Sequence, residues 1–84
     1  MKIEVIKSII ARDDFTLNII FEDDFKGTLD IKPYLSHEAF KPLNDILEFK
    51  KIHNGGYFVE WQCGADLSAD TLRQKMTPKK MQVA

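Results

Sequence analysis

From Phe15 to Glu22 the chain alternates without a break, with Phe15, Leu17, Ile19 and Phe21 on one side and Thr16, Asn18, Ile20 and Glu22 on the other. A period of two belongs to a β-strand with one buried face, because successive side chains point to opposite sides of a pleated backbone. Ile20, on the polar side, implies partial cover of the second face as well. The segments on either side extend the pattern. Ile3 to Ile10 is rich in β-branched residues, which suit a pleated surface, and Arg12-Asp13-Asp14 supplies a polar turn before the alternating stretch. Glu22-Asp23-Asp24 supplies a second turn into Phe25 to Ile31. Three strands joined by two short turns predict an antiparallel meander.

Beyond Ile31 the pattern changes. Pro33 has no N–H for a ladder and biases Lys32 towards an extended shape, so the third strand ends there. Ser36 is expected to cap a short helical segment with Glu38 in its first turn, and Pro42 limits that segment to about a turn. Asn44 or Asp45 caps a second segment containing Ile46, Leu47, Phe49 and Ile52, and across the two segments Phe40, Leu43, Ile46 and Leu47 follow the three-and-four spacing of a buried stripe. Asn54-Gly55-Gly56 is a strong turn signal between Lys50–His53 and Tyr57–Trp61, since residues of this kind accept positive φ. In Gly64-Ala65-Asp66-Leu67-Ser68, Gly64 turns the chain sharply and Asp66 accepts from nearby backbone N–H groups. Ser68 caps a final helix, Ala69 to Met76, with Asp70 in its first turn. Gly55, Gly56, Gly64, Asp66 and Ser68 are thus read as turn and cap residues.

These elements predict an α+β fold: an antiparallel sheet of four to five strands, short helices packed on one face and a C-terminal helix. One domain spans residues 1–77, and residues 78–84 form a flexible tail. A chain of 84 residues has room for one modest core and a shallow surface site. The formal charge of −1 lacks the basic excess by which nucleic-acid binders neutralise phosphate, although Arg73, Lys75, Lys79 and Lys80 gather near the end. Cys63 is the only cysteine, which removes an internal disulfide, and charges from Lys2 to Asp14 interrupt any signal-peptide core. No apolar run reaches the roughly 18 residues of a membrane span. A cytoplasmic protein is expected, with no membrane association.

Several stretches together resemble a bacterial family, domain of unknown function 2442. They are Asp14-Phe15-Thr16-Leu17, Phe21-Glu22-Asp23, Asp30-Ile31-Lys32-Pro33-Tyr34-Leu35, Phe40-Lys41-Pro42-Leu43 and Phe49-Lys50-Lys51-Ile52. The most specific is Trp61-Gln62-Cys63-Gly64-Ala65-Asp66-Leu67-Ser68-Ala69-Asp70-Thr71-Leu72. Asp24 stands where the family commonly has a turn glycine, Cys63 where a small polar residue is usual, and Ala69 where proline is frequent at the first helical position. The resemblance implies a small β-meander with helices. It also implies an accessory gene, often beside other small proteins in toxin–antitoxin-like arrangements, and some members carry a fused helix-turn-helix segment.

The residues able to carry chemistry are few. Asp13-Asp14 and Asp23-Asp24 bracket one strand of about seven residues, which at roughly 3.3 Å per residue sets them some 23 Å apart. A glycosidase pair needs about 10 Å or less, so these are read as turn residues bonding local backbone. His37, His53 and Cys63 lack zinc spacing, and a His53–Cys63 pair lacks an orienting third group. No catalytic residue, metal or cofactor is therefore expected. Gly55-Gly56 has no following Lys-Ser or Lys-Thr and is not a phosphate loop. Trp61, Asp66 and Asp70 are the candidates for a partner-binding rim, Trp61 being better suited to the core than to a binding hot spot. The expected function is that of a non-catalytic interaction module whose partner is another small protein, toxin-like or accessory, or a second copy. The alternative is a nucleic-acid-associated regulator or antitoxin-like component.

Overall fold

The computed structural model describes residues 4–78. Strands β1 (Ile6–Ala11), β2 (Thr16–Phe21) and β3 (Lys26–Asp30) form the expected antiparallel meander. Its inner face carries Leu17, Ile19 and Phe21 from β2 and Leu29 from β3, all buried. β1 meets a problem of parity. Ile6 and Ile9 are an odd number of residues apart and would point to opposite faces of a regular strand. The register with β2 shifts between Ile6 and Ser8, so that Ile6 faces Phe21 and Ile9 faces Ile19. The extra residue in that bulge brings both isoleucines to the core side and leaves Ser8 and Ile10 outside.

The turns around β2 are closed by aspartates, as their positions suggest. Asp14 Oδ1 accepts from the Thr16 amide at 3.2 Å and from its hydroxyl at 2.6 Å, and Asp23 Oδ1 accepts from the Phe25 amide at 3.1 Å. Asp24 has φ of +68°, the left-handed conformation that its place in the family pattern implies. Phe15, assigned to β2 by its alternation, instead sits in the turn at φ of +63°. A bulky residue there is strained, and its ring packs 5.3 Å from that of Phe49.

After β3, a 3₁₀ turn at Lys32–Tyr34 leads into a second 3₁₀ helix, Glu38–Asn44, with Pro42 inside it. The residue preceding this helix is His37 rather than Ser36, and His37 makes no side-chain cap bond. Helix α1 (Ile46–Phe49) is capped by Asp45, which accepts from the Leu47 amide at 3.0 Å. Of the expected apolar stripe, Leu43 is buried and Phe40 and Ile46 pack on the core, but Leu47 is 68% exposed. Asp45 is extended between the 3₁₀ helix and α1, so the helical phase that sets Phe40 and Leu43 inward does not carry through to Leu47.

The remaining strands do not extend the first sheet. β4 (Ile52–Asn54), β5 (Phe58–Trp61) and β6 (Asp66–Ser68) form a second antiparallel sheet. The fold is α+β as expected, but built on two sheets, with six strands of three residues or more and a two-residue seventh among the described residues. The sixth strand arises at Gly64, whose φ of +101° reverses the chain into a second hairpin rather than directly into a helix. Asp66 is consequently a strand residue opposite Glu60. Asp66 makes no side-chain bond to backbone among the described residues, so its assignment as an N–H acceptor in a turn is corrected. In the first hairpin only Gly56 takes positive φ, at +87°. At Gly55 a methyl would lie 2.5 Å from the tip of the exposed Phe58 ring, which would have to turn aside to admit it.

Asn54 joins the two sheets. Its Oδ1 accepts from the Gly56 amide at 2.8 Å while its Nδ2 donates 3.1 Å to the Ile6 carbonyl, and the Ile6 amide donates 2.7 Å to Gly56 O. Helix α2 (Ala69–Lys75) begins at Ser68, whose hydroxyl accepts from the Thr71 amide at 3.1 Å. Strand β7 (Thr77–Pro78) then returns to the first sheet and pairs with β3 at Thr28 and Gly27. Pro78, assigned to the tail, thus pairs within the sheet, and the rest of that segment lies outside the described residues. Val59, Trp61, Leu43, Phe49, Leu72 and Met76 complete one core with the inner face of the meander.

Candidate interaction surface

Trp61 is 2% exposed, and its indole N–H donates 2.8 Å to the Phe49 carbonyl. Its ring stacks on Phe49 at 6.1 Å and meets the edge of Phe40 at 6.0 Å. A partner reading an acidic rim at Asp66 and Asp70 would find both carboxylates exposed but no accessible indole between them. Trp61 is a core residue, and its place in a binding rim is corrected accordingly.

The other sequence-selected residues do not converge. His53 is exposed on β4 opposite Glu60, and Cys63 is exposed in the turn between β5 and β6. A shallow depression of about 360 Å³ runs past Lys51, His53, Glu60 and Gly64, and Cys63 is not part of its lining. Of the aspartates at the ends of β2, Asp14 bonds Thr16 within its own turn, while Asp13 pairs with Lys50 and Asp24 with Lys7 at 3.6 Å, both on other segments of the chain. The Thr16 hydroxyl bond holds the Asp14 carboxyl below the usual aspartate range. Among the described residues no three His, Cys, Asp or Glu side chains stand together as metal ligands. No helix among them is long and apolar enough to cross a membrane.

The basic end contains one cation with an internal task. The Arg73 guanidinium reaches Glu4 through Nε at 3.1 Å and Nη1 at 3.2 Å, and Asp23 through Nη1 at 3.2 Å and Nη2 at 3.0 Å. It lies 4.0 Å above the Phe25 ring and 5.2 Å from that of Phe21. The bond to Asp23 raises the arginine's pKa further. Arg73 is therefore spent within the fold and is not part of a basic patch. Nothing in the sequence singled out this pairing, because Glu4 and Asp23 are 69 and 50 residues away from it.

The outer face of the meander is different in kind. Ile10, Asn18 and Thr28 lie side by side across β1, β2 and β3, Thr77 continues the row on β7, and Ile20 lies beside them. Together they border a groove of about 460 Å³ with Lys26 at one end. Ile10 is 57% exposed. The polar members are partly satisfied within the face, the Thr28 hydroxyl donating 3.1 Å to Asn18 Oδ1. A surface of this make-up offers apolar area and pre-paired polar groups, with Lys26 the one titratable side chain along its lining among the described residues. It suits burial against another surface better than transformation of a molecule. The sequence signal was Ile20 on the polar side of β2. Ile10 escaped notice because the bulge that turns it outward is invisible in the residue pattern.

A family model described as "Protein of unknown function (DUF2442)" matches residues 6–78. No curated protein and no solved structure matches the chain.

Proposed function

The chain belongs to the DUF2442 family, and we propose that it acts there as a non-catalytic interaction module in the cytoplasm, binding another small protein of the toxin-like or accessory kind. The observation that carries this reading is the exposed Ile10 beside Ile20 in the groove on the open face of the meander. A large apolar side chain presented on a flat sheet face gains about 25 cal/mol for each Å² that a partner covers. The neighbouring Asn18–Thr28 bond means little polar desolvation is left unpaired. Binding to a second copy through the same face is the variant of this reading. The regulator alternative draws less support, since Arg73 is engaged by Glu4 and Asp23.

The test is recovery of the tagged chain from its native cells under mild conditions. The expected result is a stoichiometric small protein that is retained by Leu47→Lys and lost with Ile10→Lys, both substitutions falling on exposed side chains. Recovery of the chain alone, or a partner indifferent to Ile10→Lys, contradicts the reading. A salt-sensitive affinity for DNA or RNA would favour the regulator instead.

A further inference from the structure

The Arg73 cluster joins three parts of the chain that are remote in sequence: the entry to β1 through Glu4, the β2–β3 turn through Asp23, and α2 itself. Its position is mechanically specific. α2 is anchored at its start by the Ser68 cap and by the Ala69 amide, which donates 2.8 Å to the Tyr57 carbonyl. At its far end lies β7, whose two described residues include a proline with no N–H to give β3. Arg73 sits between these ends, 24% exposed, with Glu4 at 15% and Asp23 at 30%. Such a half-buried pairing, with four charge-assisted contacts and an aromatic floor, is stronger than an ordinary surface pair.

We propose that this clasp is a latch, and that α2 with β7 forms a flap that opens as a unit when the latch is released, while the rest of both sheets stays folded. What opening bares is chemically definite. Gly27 has no side chain, and the Thr77 carbonyl and Met76 Cε close directly over it. Lifting the flap frees the β3 edge at Gly27 and Thr28 and withdraws Leu72 and Met76 from the core. It also removes Thr77, one wall of the groove that contains Ile10. An unpaired edge is a site for strand addition, so the latch decides whether this side of the domain presents a finished groove or an open strand. Short edge elements are where sub-global opening is expected to begin.

The latch does not rest on the interaction reading, and its test uses the chain alone, so the two fail separately. Amide hydrogen exchange is measured for Thr28 and Thr77, whose pairing joins β3 to β7 and is broken when the flap lifts, and for Ile31 and Trp61, whose amides bond Phe15 O and Ala65 O at the ends of the two sheets. With Arg73→Met, exchange at Thr28 and Thr77 is expected to speed by at least about tenfold relative to Ile31 and Trp61, the scale of losing a charged hydrogen bond. Glu4→Gln, which keeps shape and removes one charge, gives the same ordering at smaller size should Arg73→Met fail to fold. Equal acceleration at all four amides, or none at Thr28 and Thr77, overturns the proposal.

Discussion

Trp61 offers the sharpest test of how the second sheet is held to the helical segment that precedes it. Replacing it by phenylalanine keeps an aromatic ring but removes the indole N–H that bonds the Phe49 carbonyl at 2.8 Å. Removing only the donor leaves the carbonyl unsatisfied in a buried site, at a cost of about 1–3 kcal/mol. The smaller ring also leaves a void between Phe40 and Phe49, its neighbours at 6.0 and 6.1 Å, worth about 1 kcal/mol. Together these predict a loss of about 2–4 kcal/mol, from a total that for a chain of 84 residues is about 4–13 kcal/mol. Urea unfolding followed by far-ultraviolet circular dichroism suits the measurement, because Trp61 is the only tryptophan and fluorescence is lost with it. Tyr57→Phe serves as the control: it removes a hydroxyl from an exposed ring and is expected to stay within about 0.5 kcal/mol. A loss below about 1 kcal/mol for Trp61→Phe refutes the claim that this side chain is a structural tie.

Three further outcomes are expected. Gly27→Ala sets a methyl 2.7 Å from Met76 Cε and against the Thr77 carbonyl; the overpacking costs about 1–3 kcal/mol, with the Thr77 amide deprotected most, as read by thermal unfolding and hydrogen exchange. Asp24→Gly relieves a residue at φ of +68° and raises stability by about 0.5 kcal/mol, whereas Asp24→Val lowers it by about 1–2 kcal/mol, both read from urea midpoints. Thr16→Val removes the hydroxyl that holds Asp14's pKa down, so the Asp14 carboxyl titrates at higher pH when followed by NMR. The sign follows from linkage. A depressed carboxyl contributes stability that is complete above its unfolded pKa and fades as pH falls through the folded one, so the variant loses an acid-side dependence that the parent shows.

The first half of the fold was legible because its signals are local. The alternation of β2, the aspartates at its two turns and the proline after β3 each act within a few residues, and all three place their elements correctly. So do the Asp45 and Ser68 caps, each a side chain bonding its own helix. What could not be read depends on partners far along the chain. The bulge in β1 exists because Ile6 and Ile9 must both reach a core built by later residues, and it is this bulge that exposes Ile10. Phe15 was placed in a strand by its alternation but takes a strained turn position in contact with Phe49. β6 has three residues, too few for a period to show, and its pairing with β5 adds a strand to a hairpin that stands apart from the meander. The candidate surface suffered likewise. Trp61 looks the same in sequence whether it faces solvent or core, and only the Phe49 carbonyl decides the matter. Arg73 read as part of a basic end until Glu4 and Asp23 closed on it.

The central claim, that this domain works by surface contact around Ile10 and not through its titratable side chains, is tested by one binding measurement on two variants. Once the partner is in hand, its affinity is measured by calorimetry for Ile10→Lys and for a combined His53→Ala, Cys63→Ala, Asp66→Ala protein. The account predicts at least about a tenfold loss for the first, about 1.4 kcal/mol, and an unchanged constant for the second. Affinity that survives Ile10→Lys but collapses in the triple variant contradicts it.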